Sequence, residues 1–179
     1  MKCPYCGGEI PSSPCPECGV MVFEGANYCM ACGATLKGAL EDDPYNLIRF
    51  VQAQEGDYER ALSEVKNGRK LSHWMWYIFP QFDGLGFSSI AKAYSIKSVE
   101  EAEAYLSHPI LGSRLKECTE AALSVEGRSA YDIFGSPDDM KLKSCATLFA
   151  FLLSEESVFE RLIDKYFQGE CDQNTLRLL

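Results

Sequence analysis

Three Cys-x-x-Cys-Gly knuckles, Cys3/Cys6, Cys15/Cys18 and Cys29/Cys32, lie within the first 33 residues of a 179-residue chain. So short a segment cannot bury a core of its own, and its fold must come from cross-linking. Cysteines spaced this way chelate a tetrahedral metal ion, and a structural Zn²⁺ is the cofactor they predict. Glycine follows the second cysteine each time (Gly7, Gly19, Gly33) and permits the positive φ that turns backbone N–H groups toward sulfur. Pro4 and Pro16 stiffen two of the turns.

Three pairs offer six ligands, and one zinc takes four. The favoured quartet is Cys15, Cys18, Cys29 and Cys32. The ten residues between its two knuckles read as a hairpin: Val20 to Phe23, a turn over Glu24-Gly25-Ala26-Asn27, then Tyr28. The spacer from Cys6 to Cys15 contains Pro11-Ser12-Ser13-Pro14, which suits a paired strand poorly. Cys3 and Cys6 are then a spare half-site. They either complete a second site with a partner's cysteines or replace Cys15/Cys18 on the same ion.

The remaining cysteines, Cys118, Cys145 and Cys171, are scattered singly and read as small buried hydrophobes of a reducing compartment. No apolar run approaches the roughly 18 to 20 residues of a membrane span, and Met-Lys-Cys-Pro opens no signal core. A cytoplasmic protein is expected. The formal charge is −9, and Lys2 faces Glu9, Glu17 and Glu24 within residues 1–36. Phosphate recognition needs clustered cations, so general nucleic-acid binding is not expected.

Residues 37–42 read as a linker between a ribbon over 1–36 and a helical domain over 43–179. Asp43-Pro44 predicts a helix start, and Asp57 precedes a stripe of Tyr58, Ala61, Leu62 and Val65 that ends at Gly68. Ser98 with Glu101 predicts a capping box, and Pro109 opens a helix ending near Gly127. Ser136-Pro137-Asp138-Asp139 caps a stripe through Leu152. Ser154 starts another, which stops at Gly169. No period-2 strand stands out after residue 43. The expected fold is an all-α main domain, an irregular array of seven or so short helices, with a small N-terminal β zinc ribbon.

One stretch, Gly68-Arg69-Lys70-Leu71-Ser72-His73-Trp74-Met75-Trp76-Tyr77-Ile78-Phe79-Pro80-Gln81, holds both tryptophans and one of the two histidines. Apolar on every side, it predicts a buried central helix. Its polar members must then pair internally or line a pocket. In the pocket reading, Arg69 and Lys70 bind an anion, Trp74 or Trp76 stacks on a ring, Gln81 lines the wall and His73 is the candidate acid/base. In the plainer reading the histidine is a core residue bonded to a backbone carbonyl. His108, Asp132 and the Asp138/Asp139 pair read as boundary and cap residues.

Residues 43–179 resemble the bacterial family of domain of unknown function 1810, sometimes labelled calpastatin. The resemblance rests on Asp43 to Phe50, on Gly68 to Trp76 with Phe79-Pro80-Gln81, and on Gly84-Leu85-Gly86. It continues through His108-Pro109, Asp132 to Gly135, Lys141 and Leu178-Leu179. It implies a mostly helical fold and brings no catalytic residues. Residues 1–36 resemble the zinc-ribbon modules found at the ends of bacterial proteins.

Two functional readings follow. The first is a helical interaction or regulatory module, recruited to a protein partner by its ribbon. The second is an enzyme or receptor for a small anionic, ring-bearing ligand, nucleotide-like, held around His73, Trp74 and Trp76.

Overall fold

The thiol pairs and helix caps read from the sequence place most of the elements of the computed structural model, which describes residues 12–23, 29–34, 36, 43–153 and 156–179. Cys3, Cys6, the turn expected over 24–27, Tyr28, the linker expected over 37–42 and Ser154 lie outside the described residues.

Two short strands, β1 (Ser12–Pro14) and β2 (Met21–Phe23), pair antiparallel with Ser12 opposite Phe23 and Pro14 opposite Met21. This corrects the expectation for the proline-containing spacer. Among the described residues β1 has one neighbour, and an edge strand tolerates a proline whose missing N–H is not needed by the ladder. The pair brackets the Cys15/Cys18 knuckle, where the expected hairpin ran between that knuckle and Cys29/Cys32.

Ten helices follow among the described residues: α1 (Ile48–Glu55), α2 (Tyr58–Lys66), α3 (Met75–Ile78), α4 (Ser89–Ala93), α5 (Val99–Ser107), α6 (Leu111–Ser124), α7 (Ala130–Phe134), α8 (Asp138–Phe151), α9 (Val158–Phe167) and α10 (Gln173–Leu178). The surplus over seven consists of short pieces. The all-α class holds, with one isolated parallel bridge between Phe82 and Ile96.

Caps explain most boundaries. Asp43 does cap α1, but across a turn: its carboxylate accepts from Leu47 N at 2.8 Å and Ile48 N at 2.9 Å, so the helix begins after Pro44 rather than at it. Ser98 accepts from Glu101 N at 3.2 Å, whereas the Glu101 carboxylate takes Lys97 N at 2.8 Å and an ion pair with Arg49. Ser157 forms a full capping box with Glu160 and starts α9. Gly68, in the left-handed region at φ +68°, ends the turn after α2.

The helical core is aromatic-rich, with Phe50, Trp74, Phe79, Tyr105, Phe149 and Phe159 almost wholly buried. Each such phenylalanine contributes about 2–3 kcal/mol of burial. Arg49 stitches α1 to the segment before α5. Its guanidinium donates to the carbonyls of Tyr45, Asn46, Ala93 and Ser95 as well as to Glu101.

Cys15, Val22 and Cys29 form a separate small cluster with Ala34 and Leu36. Gly33 is buried, and a Cβ there would lie 3.7 Å from Ile110 Cδ1 and 3.8 Å from Val51 Cγ1. The Cys29/Cys32 knuckle therefore rests against α1 and the start of α6.

Candidate functional site

The two described knuckles fold alike. Cys15 N donates to Val20 O and Cys29 N to Ala34 O, both at 2.8 Å. Gly19 N donates back to Cys15 O at 2.9 Å and Gly33 N to Cys29 O at 2.8 Å. Gly19 and Gly33 take φ of +73° and +79°, as the spacing required.

Together the knuckles bring the sulfurs of Cys15, Cys18, Cys29 and Cys32 within 4.8 Å of one another. Cys15 Sγ lies 3.7 Å from Cys32 Sγ, and Cys18 Sγ lies 3.6 Å from Cys29 Sγ. These distances are too long for disulfides, whose sulfurs are about 2.05 Å apart. They match the edge of about 3.8 Å that a tetrahedron with metal–sulfur bonds of about 2.3 Å must have.

The electrostatics agree. Burial opposes ionisation of Cys29, but amides of Cys32 and Ala31 directed at its sulfur outweigh that and bring it from 9.0 down to about 7. Cys32 is pushed up to about 12, first by desolvation and then by the neighbouring sulfurs. Four thiols this close resist ionising together, and a dication relieves their repulsion. The four cysteines can hold a metal ion.

The aromatic stretch departs from its expected form. Helix is confined to Met75–Ile78, and the segment before it wraps a buried carboxylate. Glu64 of α2 accepts from Leu71 N at 2.8 Å, Ser72 N at 3.0 Å, the Ser72 hydroxyl and Trp74 Nε1 at 2.8 Å. Amides engaged by Glu64 are not available for a helical ladder, so the long central helix does not form. Leu71 and His73 are exposed, which corrects the expectation of burial on every side.

The candidate residues consequently separate. Trp74 is buried in the core. Arg69 and His73 face solvent. Lys70 is engaged by Asp138 at 2.7 Å and by Ser72 O at 2.6 Å. Asp138 also binds Lys141 at 2.6 Å, and the Lys141 ammonium sits 4.7 Å from the centre of the Trp76 ring. Trp76 and Gln81 line a cleft of about 420 Å³, with Lys141, Ser144, Asp172 and Asn174 on its other wall. Sequence reasoning missed Glu64, Ser144, Asp172 and Asn174. Glu64 finds its partners across a turn and Ser144 finds Asp172 on another helix, whereas Asp172 carries a local signal as the N-cap of α10 with Thr175 three residues on.

The weaker candidates have structural duties. His108 Nδ1 accepts from Ile110 N and Leu111 N at the start of α6, and burial holds its pKa down at about 4. Asp132 completes a capping box with Ser129. Cys118 and Cys145 are buried, and burial pushes the Cys118 thiol up to about 12.

The family of proteins of unknown function DUF1810 matches residues 44–179. The chain belongs to the DUF1810 family. The solved structure of the conserved hypothetical protein Rv1873 from Mycobacterium tuberculosis is similar to this chain at 50% identity and a TM-score of 0.75. The similarity covers 76% of this chain and 98% of that one. No curated protein matches significantly. The four-cysteine cluster lies outside the DUF1810 match.

Several residues that carry the DUF1810 resemblance hold the fold together: Asp43, Arg49, Lys70, Trp74, His108 and Asp132. Trp76 and Gln81 instead turn to the cleft. Among the described residues no helix is long and apolar enough to cross a membrane.

Proposed function

We propose that the chain is a zinc-ribbon-tethered helical interaction or regulatory module of the cytoplasm. Cys15, Cys18, Cys29 and Cys32 hold one structural Zn²⁺, and the ribbon docks a protein partner. The observation that carries this reading is the company the sulfurs keep. Val20 and Met21 are 47% exposed and Met30 is 67% exposed, all within or beside the two knuckles. Apolar side chains displayed on a small cross-linked unit favour a protein contact over a phosphate backbone. The acidic balance of the segment supports the same choice.

The test uses the zinc-loaded full chain beside a Val20→Ser/Met21→Ser/Met30→Ser variant. Proteins captured from lysate are compared by quantitative mass spectrometry. Loss of a defined set of partners at unchanged zinc content is expected. Identical capture by both proteins contradicts the reading.

A second reading, a receptor for a small ring-bearing ligand, is favoured by one observation: Trp76 and Gln81 line the same cleft.

A further inference from the structure

The cleft lies between the loop before α4 on one side and α8 with α10 on the other. Its volume of about 420 Å³ falls in the range of small-molecule sites, about 300–1,000 Å³. Leu85, Phe87, Ala91, Pro137 and Met140 give it apolar walls. A Cβ on Gly86 would meet Ala91 Cβ at 2.5 Å, so this wall is a close-packed surface.

The polar groups facing the cleft fall into two kinds. Asp172 and Ser144 are already satisfied. The Asp172 carboxylate accepts from Ser144 Oγ at 2.9 Å, Thr175 N at 3.0 Å and Thr175 Oγ1 at 2.6 Å. Lys141 is likewise paired with Asp138. By contrast, the Gln81 side-chain amide and the Trp76 indole N–H have no protein hydrogen-bond partner among the described residues. Phe87, 88% exposed, lines the same cleft with no ring partner among those residues.

An amide presents one donor edge beside one acceptor edge, and its complement is a planar group with an acceptor beside a donor. Phe87 supplies open stacking surface, whereas the Trp76 ring already carries the Lys141 ammonium 4.7 Å from its centre and offers the cleft its free indole N–H. Charge adds a restriction. Asp138 holds both Lys70 and Lys141, and Asp172 supplies a second carboxylate, so these four charges sum to zero, while Arg69 and His73 lie outside the lining.

We propose that this cleft binds a neutral planar nitrogen heterocycle of the nucleobase class, with Gln81 reading the donor–acceptor edge, Phe87 stacking on the ring and the Trp76 indole N–H beside it. It rests on the receptor reading and is independent of the ribbon. Its failure leaves the ribbon proposal intact.

The test is a titration of the zinc-loaded full chain with adenosine, guanosine, uridine and cytidine, followed by the indole N–H signals in NMR. Trp76→Phe identifies which of the two signals is Trp76. At least one nucleoside should shift the Trp76 signal to saturation, and ribose should not. Gln81→Leu should weaken that nucleoside at least tenfold at unchanged melting temperature. Met140→Trp, which fills the cleft from an exposed position, should abolish binding. The proposal is overturned if no nucleoside shifts the signal, if ribose shifts it equally, or if binding survives Met140→Trp. Binding only of a nucleoside 5′-phosphate likewise overturns the neutral-ligand assignment.

Discussion

Trp74 Nε1 donates to the carboxylate of Glu64 at 2.8 Å, where the indole has no solvent exposure and Glu64 is 9% exposed. One buried charge on α2 thereby fixes the segment from Leu71 to Trp74. Its hydrogen bonds to the Leu71 and Ser72 amides replace those that a helix would have made, and the Trp74 indole adds a third anchor.

Stability should fall steeply in acid because of this carboxylate. Burial opposes its ionisation, but the Ser72 hydroxyl, the Leu71 and Ser72 amides and the indole outweigh that. They bring it from 4.5 to about 2. A group depressed on folding stabilises the fold above its unfolded pKa and loses that contribution as pH falls toward the folded one. A drop of this size corresponds to about 3 kcal/mol. Urea unfolding between pH 5 and about 2 should show the loss in wild type. Glu64→Gln should be weakened already at neutral pH, by about 3 kcal/mol, because its NH₂ faces buried donors. It should also show a shallower acid slope. An acid slope equal to that of wild type would remove Glu64 from its role.

Gly112 is the tightest backbone approach among the described glycines. A Cβ there would lie 1.9 Å from Leu106 O and 2.8 Å from Leu106 C, where α6 crosses the end of α5. Backbone cannot yield as a flexible side chain can, so Gly112→Ala should cost about 3 kcal/mol or more. Gly56 has nothing within 4 Å and a φ of −93°. Gly56→Ala should be neutral or stabilising by about 0.5 kcal/mol. Melting temperatures of the two variants check the contrast.

Asp172 ties α10 to α8. Its carboxylate caps α10 through Thr175 and takes the Ser144 hydroxyl, while its amide donates to Thr147 Oγ1 at 2.9 Å. Asp172→Ala should cost about 1–3 kcal/mol. Hydrogen exchange should speed up over Gln173–Leu178 and stay slow in α8. Unchanged exchange over α10 would show that the helix is held by other contacts.

The features legible in the sequence are those that short-range chemistry specifies. Cysteine spacing and a following glycine define both knuckles, and Asp43, Ser98 and Asp132 are visible as cap residues. Distant partners were not legible. Glu64 captures Leu71 and Ser72 across a turn, and so breaks a helix that hydrophobicity alone predicts. Trp76 and Gln81 meet Lys141, Ser144 and Asp172, which are at least 60 positions away. Proline composition argued against β1, although the one-sided pairing of an edge strand accommodates Pro14. His73 looked chemical because of its neighbours, yet the turn around Glu64 leaves it in solvent.

Metal analysis of cysteine-pair variants tests the proposed four-sulfur zinc site most directly. Purified wild type and Cys3→Ser/Cys6→Ser should both retain the zinc, while Cys18→Ser/Cys29→Ser should lose it with Cys3 and Cys6 intact. Zinc retained by Cys18→Ser/Cys29→Ser, or lost from Cys3→Ser/Cys6→Ser, would contradict the assignment to Cys15, Cys18, Cys29 and Cys32.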